Sequence, residues 1–295
     1  MPLQNAFMIL LLGAIWSISY LFIKVGVAEI TPLTFVAIRT GIAAIILVLA
    51  LRARGRKFPT LRQWIPLSFM GFFGTLVPYA LITWGEVYIS SGMAAILNAT
   101  MPLFTLFLAH FYSEGERMDR YKVLGISVGF LGVVLLLSPD LAEGIANNLL
   151  GDLAVVGASL SYAVAAVFAR RSLRGQEPLF LSVGQFVTAV AMSAPLAFLV
   201  EKPMALSPSP LAWGSLAILG IVNTALAYLI YYWILEHGGA VQASLTTYVI
   251  PVGAVFWGWL LLSETIHWIS VVGLVVVFLG ILAANRFQIV RTVRK

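Results

Sequence analysis

The sequence predicts an all-α membrane protein whose ten transmembrane helices form two inverted-topology repeats of five, with both termini in the cytoplasm. Three observations predict this fold: the composition, the spacing of apolar stretches and a sequence repeat. Of 295 residues, 61% are hydrophobic, 10% are charged and none is cysteine, whereas a soluble domain has about 25% charged residues. The composition therefore excludes a soluble globule, a disordered chain and a disulfide framework.

Ten apolar stretches separated by short polar breaks are long enough to serve as transmembrane helices. A helix needs about 20 mostly apolar residues to cross the hydrocarbon core of a bilayer. The stretches lie at residues 5–27, 32–51, 64–87, 92–112, 122–139, 152–170, 178–200, 211–235, 241–262 and 268–287. Their connections are too short to hold a soluble domain, so we expect a multi-pass protein surrounded by lipid.

The distribution of basic residues predicts the orientation of these spans. Of the 18 lysines and arginines, 15 lie at or beyond the end of an even-numbered span, namely the second, fourth, sixth and tenth. The three exceptions are Lys24, Arg39 and Lys202. Cytoplasmic loops are enriched in basic residues, so both termini are expected in the cytoplasm, and Glu29, Asp152 and Glu201 are expected in loops on the other side. We expect a monomer in the bacterial inner membrane, the plasma membrane, with no nucleic-acid partner.

The second half of the chain repeats the first. An offset of 149 aligns residues 64–107 with the second half, and an offset of 148 continues the match to residue 132. The aligned pairs include Trp64/Trp213, Gly71/Gly220, Thr75/Thr224, Tyr79/Tyr228, Trp84/Trp233, Pro102/Pro251 and Glu116/Glu264. Each repeat holds five spans, an odd number, so the second copy must start from the opposite side of the membrane. We predict a first repeat at 1–140, an inverted second repeat at 151–290 and a basic cytoplasmic tail at 291–295.

Inverted repeats are typical of secondary transporters, whose substrates bind near the midplane between the halves. Two segments here resemble the EamA repeats of the drug/metabolite transporter superfamily. They are GMAAILNATMPLFTLFLAHFYSEGERMDRYKVLGISVGFLGVVLL and AVQASLTTYVIPVGAVFWGWLLLSETIHWISVVGLVVVFLGILAA. They share the mid-helix Pro102 and Pro251, the later Glu116 and Glu264, and a glycine-ended helix. The aromatic content of the central spans is most similar to that of the YddG-type exporters, which implies export of aromatic and other neutral amino acids.

Aromatic and hydroxyl side chains at mid-depth are candidates for a cavity wall. Trp16 lies at the middle of the first span and offers a flat apolar surface. Tyr79 and Tyr228 lie deep in their spans, whereas aromatic residues nearer the helix ends suit the interfacial belt. Core packing is the alternative role for any one of them. The candidate substrate-binding residues are Trp16, Ser17, Tyr20, Tyr79, Asn98, Ser161, Tyr162, Tyr228, Ser244 and Thr247.

Two matching stripes of small and polar residues run along the fourth and ninth spans. Their spacing of i, i+3, i+7, i+10 and i+14 keeps each stripe on one helix face. Their members are Ala95, Asn98, Pro102, Thr105 and Ala109, and Ser244, Thr247, Pro251, Ala254 and Gly258. Small residues allow close helix packing. Alternatively the stripes line a cavity, with Pro102 and Pro251 as hinges because each removes a backbone hydrogen bond; Asn98 and Thr247 favour the cavity.

Arg39 and Glu86 are the candidates for a role of charge inside the spans. Arg39 lies about 10 Å along the second span, and its repeat counterpart is Gln185. We expect Arg39 to pair with Glu86 or Glu29 rather than to contact the substrate. No other acidic residue is predicted inside a span, so the usual intramembrane proton relay is missing. The sequence therefore predicts transport without obligatory proton or sodium coupling.

The sequence contains no nucleotide-binding motif, catalytic dyad or metal-ligand spacing, so we expect neither a cofactor nor a metal, and no enzyme. The prediction is a secondary transporter that exports neutral, aromatic or hydrophobic amino acids by alternating access. The first, third, fourth, sixth, eighth and ninth spans would form its central cavity, and the fifth and tenth would be scaffold. A broad exporter of hydrophobic drugs or metabolites is the alternative within transport, and an intramembrane enzyme is the alternative outside it.

Overall fold

The computed structural model describes residues 3–112, 120–143, 146–173, 175–231, 233–234 and 246–293. Across these residues all regular structure is helical and no strand occurs, which confirms the predicted all-α class. Six helices are long and apolar enough to cross a bilayer, and shorter apolar stretches lie at Val123–Leu136, Val249–Leu262 and Trp268–Gly280.

The helices are numbered α1 to α10 along the chain, with α4 divided into two pieces. In the first half they are α1 Leu3–Val27, α2 Pro32–Ala53, α3 Leu61–Tyr88, α4a Ser91–Asn98, α4b Met101–Tyr112 and α5 Arg120–Glu143. In the second half they are α6 Ala146–Ser172, α7 Pro178–Val200, α8 Pro210–Tyr231, α9 Thr246–Leu262 and α10 Trp268–Val293.

Local side chains determine where several helices begin. Pro210 occupies the first turn of α8, where its missing N–H removes no helical hydrogen bond. Before it, Ser209 Oγ accepts a hydrogen bond from the backbone N–H of Ala212 at 3.3 Å. Ser90 Oγ accepts from the N–H of Met93 at 3.1 Å at the start of α4a. Each serine satisfies one of the otherwise unpaired N–H groups of a helix N-terminus.

α3 and α8 each contain a π-helical segment, and the two segments lie at equivalent repeat positions. They are Phe72–Leu76 in α3 and Ile221–Leu226 in α8. A glycine precedes each segment and packs against a helix of the other half: Gly71 against α7 and Gly220 against α2. A π turn changes the direction in which the following side chains point, and such turns are frequent at functional sites.

The main helix contacts between the two halves are symmetric: each has an equivalent when every helix is replaced by its repeat counterpart. α2 packs against its counterpart α7, and α5 packs against its counterpart α10. α3 and α4 of the first half pack against α6, and α8 and α9 of the second half pack against α1. The central helices α1 and α6 therefore each touch two helices of the opposite half.

α5 and α10 pack through glycines rather than through long side chains. A Cβ added at Gly132 would lie 2.7 Å from the backbone N of Val277 and 2.8 Å from the carbonyl O of Gly273. A Cβ at Gly280 would lie 2.5 Å from the carbonyl O of Gly125. These glycines therefore serve packing within the chain, as small residues do between transmembrane helices.

Two predictions about the spans are wrong. The fourth span is not one continuous helix, because α4a ends at Asn98 and α4b begins at Met101. The polar stripe along it therefore does not lie on a single helix face. Asp152, expected in a loop, lies inside α6 and is fully buried. α10 continues to Val293, into the segment predicted as a basic tail.

Candidate functional site

Aromatic side chains from both halves meet near the centre of the bundle. The ring centroids of Trp16 on α1 and Tyr228 on α8 are 6.0 Å apart in an edge-on arrangement. Tyr231 lies 5.7 Å from Trp16, and Phe186 of α7 lies 4.8 Å from Tyr228 at nearly a right angle. Tyr162 of α6 packs on the same hydrophobic cluster. Together these rings form one surface, which we call the aromatic wall: Trp16, Tyr162, Phe186, Tyr228 and Tyr231.

Arg39 of α2 lies beside this wall and is 5% exposed. Its Nε donates a hydrogen bond to Thr224 Oγ1 in the π segment of α8 at 2.9 Å. Its guanidinium carbon lies 4.1 Å from the ring centroid of Tyr79, a cation–π contact. Tyr162 packs against the hydrophobic cluster to which Tyr79 belongs. Arg39, Tyr79 and Tyr162 are called the Arg39 cluster.

The expected partners of Arg39 are wrong. Glu29 accepts instead from the backbone N–H and hydroxyl of Ser209, at 2.6 and 2.7 Å. Glu86 is fully buried, and neither of its carboxylate oxygens has a hydrogen-bond partner in the described part of the chain. Lys24 Nζ donates to the backbone carbonyl of Glu86 at 2.6 Å rather than to its side chain. The π segment of α8 brings Thr224 to Arg39, and the periodicity of a regular α-helix does not predict it.

Gln185 of α7, the repeat equivalent of Arg39, makes the equivalent contact: each side chain donates to a threonine in the π segment of the opposite half. Its Nε2 donates to Thr75 Oγ1 at 2.8 Å and to the carbonyl of Gly74 at 3.1 Å. Thr75 is the repeat equivalent of Thr224, and both lie in π segments. In a regular α-helix the carbonyl of Gly74 would accept from the N–H of residue 78, but Pro78 has no N–H. Gln185 supplies the hydrogen bond that this carbonyl would otherwise lack.

Asn98, the last residue of α4a, lies beside the break in α4 and is held on both sides. Its Nδ2 donates to Tyr20 Oη on α1 at 2.8 Å. Ser159 of α6 donates towards Asn98 Oδ1 at 3.2 Å and also lies 3.3 Å from the carbonyl of Leu97. Asn98 thus links α1, α4 and α6, the two central helices included.

The two predicted serines of the central helices are used in helix contacts. Ser17 Oγ donates to the carbonyl of Ala14 at 2.8 Å, and its side chain packs against Gly253 of α9. Ser161 Oγ donates to the carbonyl of Phe73, in the π segment of α3, at 2.7 Å. Both hydroxyls are therefore engaged by backbone in this structure.

The remaining predicted residues fall at the ends of α4 and α9. Ser244 and the side chain of Thr247 lie outside the described residues. Pro102 occupies the first turn of α4b rather than mid-helix, because α4 breaks before it. Pro251 is buried inside α9, where proline removes a helical hydrogen bond.

At one end of the bundle, the capped end, carboxylates cap helices that are distant in sequence. Glu201, which follows α7, accepts from the hydroxyl and N–H of Thr34 at 2.7 and 2.8 Å. Glu264, which follows α9, accepts from the hydroxyl of Ser91 at 2.7 Å. Glu29 caps α8 in the same way through Ser209. A carboxylate at a helix N-terminus is stabilised by the unpaired N–H groups and the helix dipole.

These caps shift the pKa values of their carboxyl groups. Burial raises the pKa of Glu201, but hydrogen bonds from Thr31, Leu33 and Thr34 outweigh burial and lower the pKa below its ordinary value of 4.5. The hydroxyl and backbone N–H of Ser209 similarly lower the pKa of Glu29. Both groups are therefore charged at neutral pH.

A cleft of about 560 Å³ opens at the opposite end, the cleft end. Arg56 and Glu177 form an ion pair at its rim, with Nε and Oε2 3.3 Å apart. Leu229 and Trp233 also line this cleft. Leu229 directly follows Tyr228 in α8, so the cleft borders the segment that carries one ring of the aromatic wall.

The sequence did not identify Ser159 or Asn223 as part of this polar centre. Asn223 Nδ2 donates to the carbonyl of Ile15 and, at 3.0 Å, to Ser19 Oγ of α1. Asn223 lies in the π segment of α8 directly before Thr224. The paired Gly-x-x-x-Thr spacing, Gly71 to Thr75 and Gly220 to Thr224, is the signal that could have indicated both π segments.

Comparisons with known proteins identify the family of the chain. The model of the EamA-like transporter family matches residues 4–138 and again residues 149–286. An uncharacterized transporter of Archaeoglobus fulgidus is 31% identical over 271 residues, covering 90% of this chain and 93% of that protein. The uncharacterized transporter YoaV of Bacillus subtilis is 28% identical, with 90% and 91% covered.

Two further comparisons concern the location of a relative and the fold. The uncharacterized inner membrane transporter YedA of Escherichia coli is 29% identical over 266 residues, covering 87% of this chain and 83% of that protein. A solved crystal structure superposes with a TM-score of 0.68 at 19% identity, covering 96% of this chain and 98% of that chain. The superposition supports the fold.

Proposed function

The chain belongs to the EamA-like transporter family, and from that premise we propose that it exports neutral amino acids with aromatic or hydrophobic side chains. The proposed location is the inner membrane of a bacterium, the membrane named for the relative YedA. The proposed route is a central cavity between the two halves, opened alternately to each side. This assigns the protein to the YddG-type branch of the superfamily.

The proposed topology has ten transmembrane helices in two inverted repeats, with both termini in the cytoplasm. Two separate matches to one family model, at 4–138 and 149–286, support a duplicated chain. The helix pairing supports it too, because α2–α7 and α5–α10 pair equivalent helices, as a two-fold axis in the membrane plane requires. The cleft end, rich in arginine, is then cytoplasmic.

The aromatic wall is the observation that carries the substrate assignment. Trp16, Tyr162 and Tyr228 come from α1, α6 and α8, so helices of both halves contribute to one surface. Aromatic side chains favour edge-on and offset contacts with other rings, so this wall suits an aromatic or large apolar side chain. Arg39 and the hydroxyl groups beside the wall supply the polar contacts that an amino-acid backbone needs.

Alternating access is supported by the contrast between the two ends of the bundle. Glu29, Glu201 and Glu264 join helices at the capped end, where the cavity beside them is about 150 Å³, whereas the cleft at the cleft end is about 560 Å³. We therefore propose that this arrangement is a state that faces the cytoplasm. Opening to the outside then requires the three caps to separate while the cleft closes.

We place the moving elements at the break in α4 and at Pro251 of α9. Residues 99 and 100 interrupt α4 next to Asn98, and we propose that α4b changes its angle at this point. Pro251 supplies a bend in α9, the repeat equivalent of α4. Pro102 contributes by starting α4b, where its fixed φ suits a first helical turn.

A competition experiment tests the substrate class. Proteoliposomes loaded with unlabelled phenylalanine take up labelled phenylalanine, while unlabelled compounds are added outside as competitors. We expect tryptophan, tyrosine and leucine to compete, and lysine and glutamate not to compete. Equal competition by hydrophobic cations that are not amino acids would instead support the broad exporter of hydrophobic compounds.

A further inference from the structure

Arg39 is a buried cation that no carboxylate in the described part of the chain neutralises. Its hydrogen bond there is the one from Nε to Thr224, and the ion pair recorded among the described residues joins Arg56 to Glu177 at the surface. The charge of Glu86 reaches Arg39 only through space, without a hydrogen bond. A charge held within a membrane protein away from water is costly, and such residues typically serve function.

Bracing of the two halves does not explain the charge. Gln185 makes the equivalent brace to Thr75 with a neutral amide, which donates two hydrogen bonds. Arg39 makes one hydrogen bond to the equivalent Thr224 and leaves its two Nη groups without an acceptor among the described residues. An amide in place of Arg39 would brace as well at lower desolvation cost, so the positive charge serves something else.

The Arg39 cluster holds polar groups that form no hydrogen bond with a described residue: the two Nη groups of Arg39 and the hydroxyls of Tyr79 and Tyr162. The guanidinium lies over the ring of Tyr79, and Tyr162 packs against the hydrophobic cluster to which Tyr79 belongs. Neither phenol hydroxyl forms a hydrogen bond with any residue that the structure describes. Two N–H-bearing Nη groups and two hydroxyls thus point to a ligand that is anionic and rich in acceptors.

We propose that the Arg39 cluster binds the carboxylate of the transported substrate, with the Nη groups of Arg39 as donors and the hydroxyls of Tyr79 and Tyr162 completing the site. Guanidinium and carboxylate match in shape and form short, charge-assisted hydrogen bonds. The ligand class is a small monocarboxylate. Resting on the proposed function, the inference identifies this group as the α-carboxylate of the amino acid, whose side chain then lies against the aromatic wall.

Three ligands that differ in one group each test the site by thermal shift of the purified full chain. Phenylalanine and 3-phenylpropionate carry the carboxylate, and phenethylamine lacks it. We expect the first two to raise the Tm of the wild type and phenethylamine to have no effect. Arg39→Gln, which installs the side chain found at the equivalent position 185, should weaken both carboxylates about 10- to 100-fold, the range for a lost hydrogen bond to a charged group.

Two variants keep the test decisive. Arg39→Lys retains the charge without the fork, so it should still prefer the two carboxylates over phenethylamine even if Arg39→Gln does not fold. Lys202→Gln removes a cation from an exposed loop and should behave as the wild type. Loss of the preference in Lys202→Gln, its persistence in Arg39→Gln, or its absence in wild type would overturn the inference.

The same panel separates this inference from the proposed function. If liposomes show no phenylalanine exchange while 3-phenylpropionate still stabilises the wild type and not Arg39→Gln, the substrate is a different carboxylate and the site stands. If phenylalanine is exchanged and Arg39→Gln retains full affinity for it, the proposed function stands and the carboxylate site is wrong.

Discussion

Asn98 and Tyr20 are joined by a hydrogen bond of 2.8 Å from Nδ2 to Oη, which ties the end of α4a to the central helix α1. The bond lies directly before the break in α4, so it holds the end of α4a against α1. Ser159 contacts Asn98 from α6. The polar link therefore coordinates α1, α4 and α6 at the level of the candidate site.

The first prediction is that Asn98 and Tyr20 act as a pair. Asn98→Ala and Tyr20→Phe each remove one partner of the bond, so each should lower thermal stability and phenylalanine exchange. The double variant should lose less than the two single losses added together, with a coupling of about 1 kcal/mol, the usual net value of a hydrogen bond. Strict additivity in a double-mutant cycle of unfolding free energies would show that the pair is not coupled.

The second prediction concerns the aromatic wall. Trp16→Ala removes the ring that contacts Tyr228, so exchange of labelled phenylalanine should fall about tenfold or more, the equivalent of about 1.4 kcal/mol. Trp84, which is more exposed and packs edge-on against Tyr88 near the end of α3, provides the matched control. Trp84→Ala should retain wild-type exchange; an equal loss in both variants would mean that Trp16 serves stability alone.

The third prediction concerns the scaffold. Gly132→Leu places a side chain against the backbone of Val277 and Gly273, where neither neighbour can move aside. Overpacking of this kind costs about 1–3 kcal/mol or more, so the yield of monodisperse protein and its Tm should fall. Gly214→Leu is the control, because a Cβ there has open space around it. Normal folding of Gly132→Leu would contradict the close α5–α10 contact.

Much of this fold follows from the sequence because lipid leaves few alternatives. Apolar stretches of about 20 residues in a bilayer must be helical, since backbone hydrogen bonds have no other partner there. The equivalence of Arg39 with Gln185 also follows from the repeat. The break after Asn98 does not, because the apolar stretch is read as one helix with Pro102 in its interior, whereas Pro102 lies in the first turn of a new helix, a position that proline favours.

The candidate site was only partly predictable for a related reason. Tyr79, Tyr228 and Trp16 are recognisable by depth alone. The partner of Arg39 depends on the π segment of α8, which brings Thr224 to the guanidinium. A π turn shifts the register by one residue, and periodicity computed for a regular helix cannot include that shift. Pairing by charge therefore favoured Glu86, which the fold keeps out of hydrogen-bonding reach.

The fourth prediction is a pH dependence at the capped end. The pKa of Glu201 is lowered in the folded protein, so its contribution to stability is present above its ordinary value of 4.5 and is lost as the pH falls through the lowered folded value. Glu201→Gln should therefore lower stability at neutral pH by about 1 kcal/mol, as expected for a helix cap, and match the wild type in acid.

The measurement is the Tm of both proteins across an acid-to-neutral series in detergent. Glu177→Gln is the control, because Glu177 pairs with Arg56 at the surface, where an ion pair contributes little. A constant difference between Glu201→Gln and the wild type at every pH would contradict an ionised cap.

The most direct test of the account is counterflow without any ion gradient. Liposomes loaded with unlabelled phenylalanine, with the same pH and salt on both sides, should accumulate labelled phenylalanine transiently above its external concentration. Because Glu86 makes no side-chain hydrogen bond to a described residue, Glu86→Gln should show the same overshoot, and an imposed pH gradient should drive no net accumulation in either protein. Absence of the overshoot in the wild type would contradict the proposed amino-acid transport, and gradient-driven accumulation that Glu86→Gln abolishes would contradict its uncoupled mechanism.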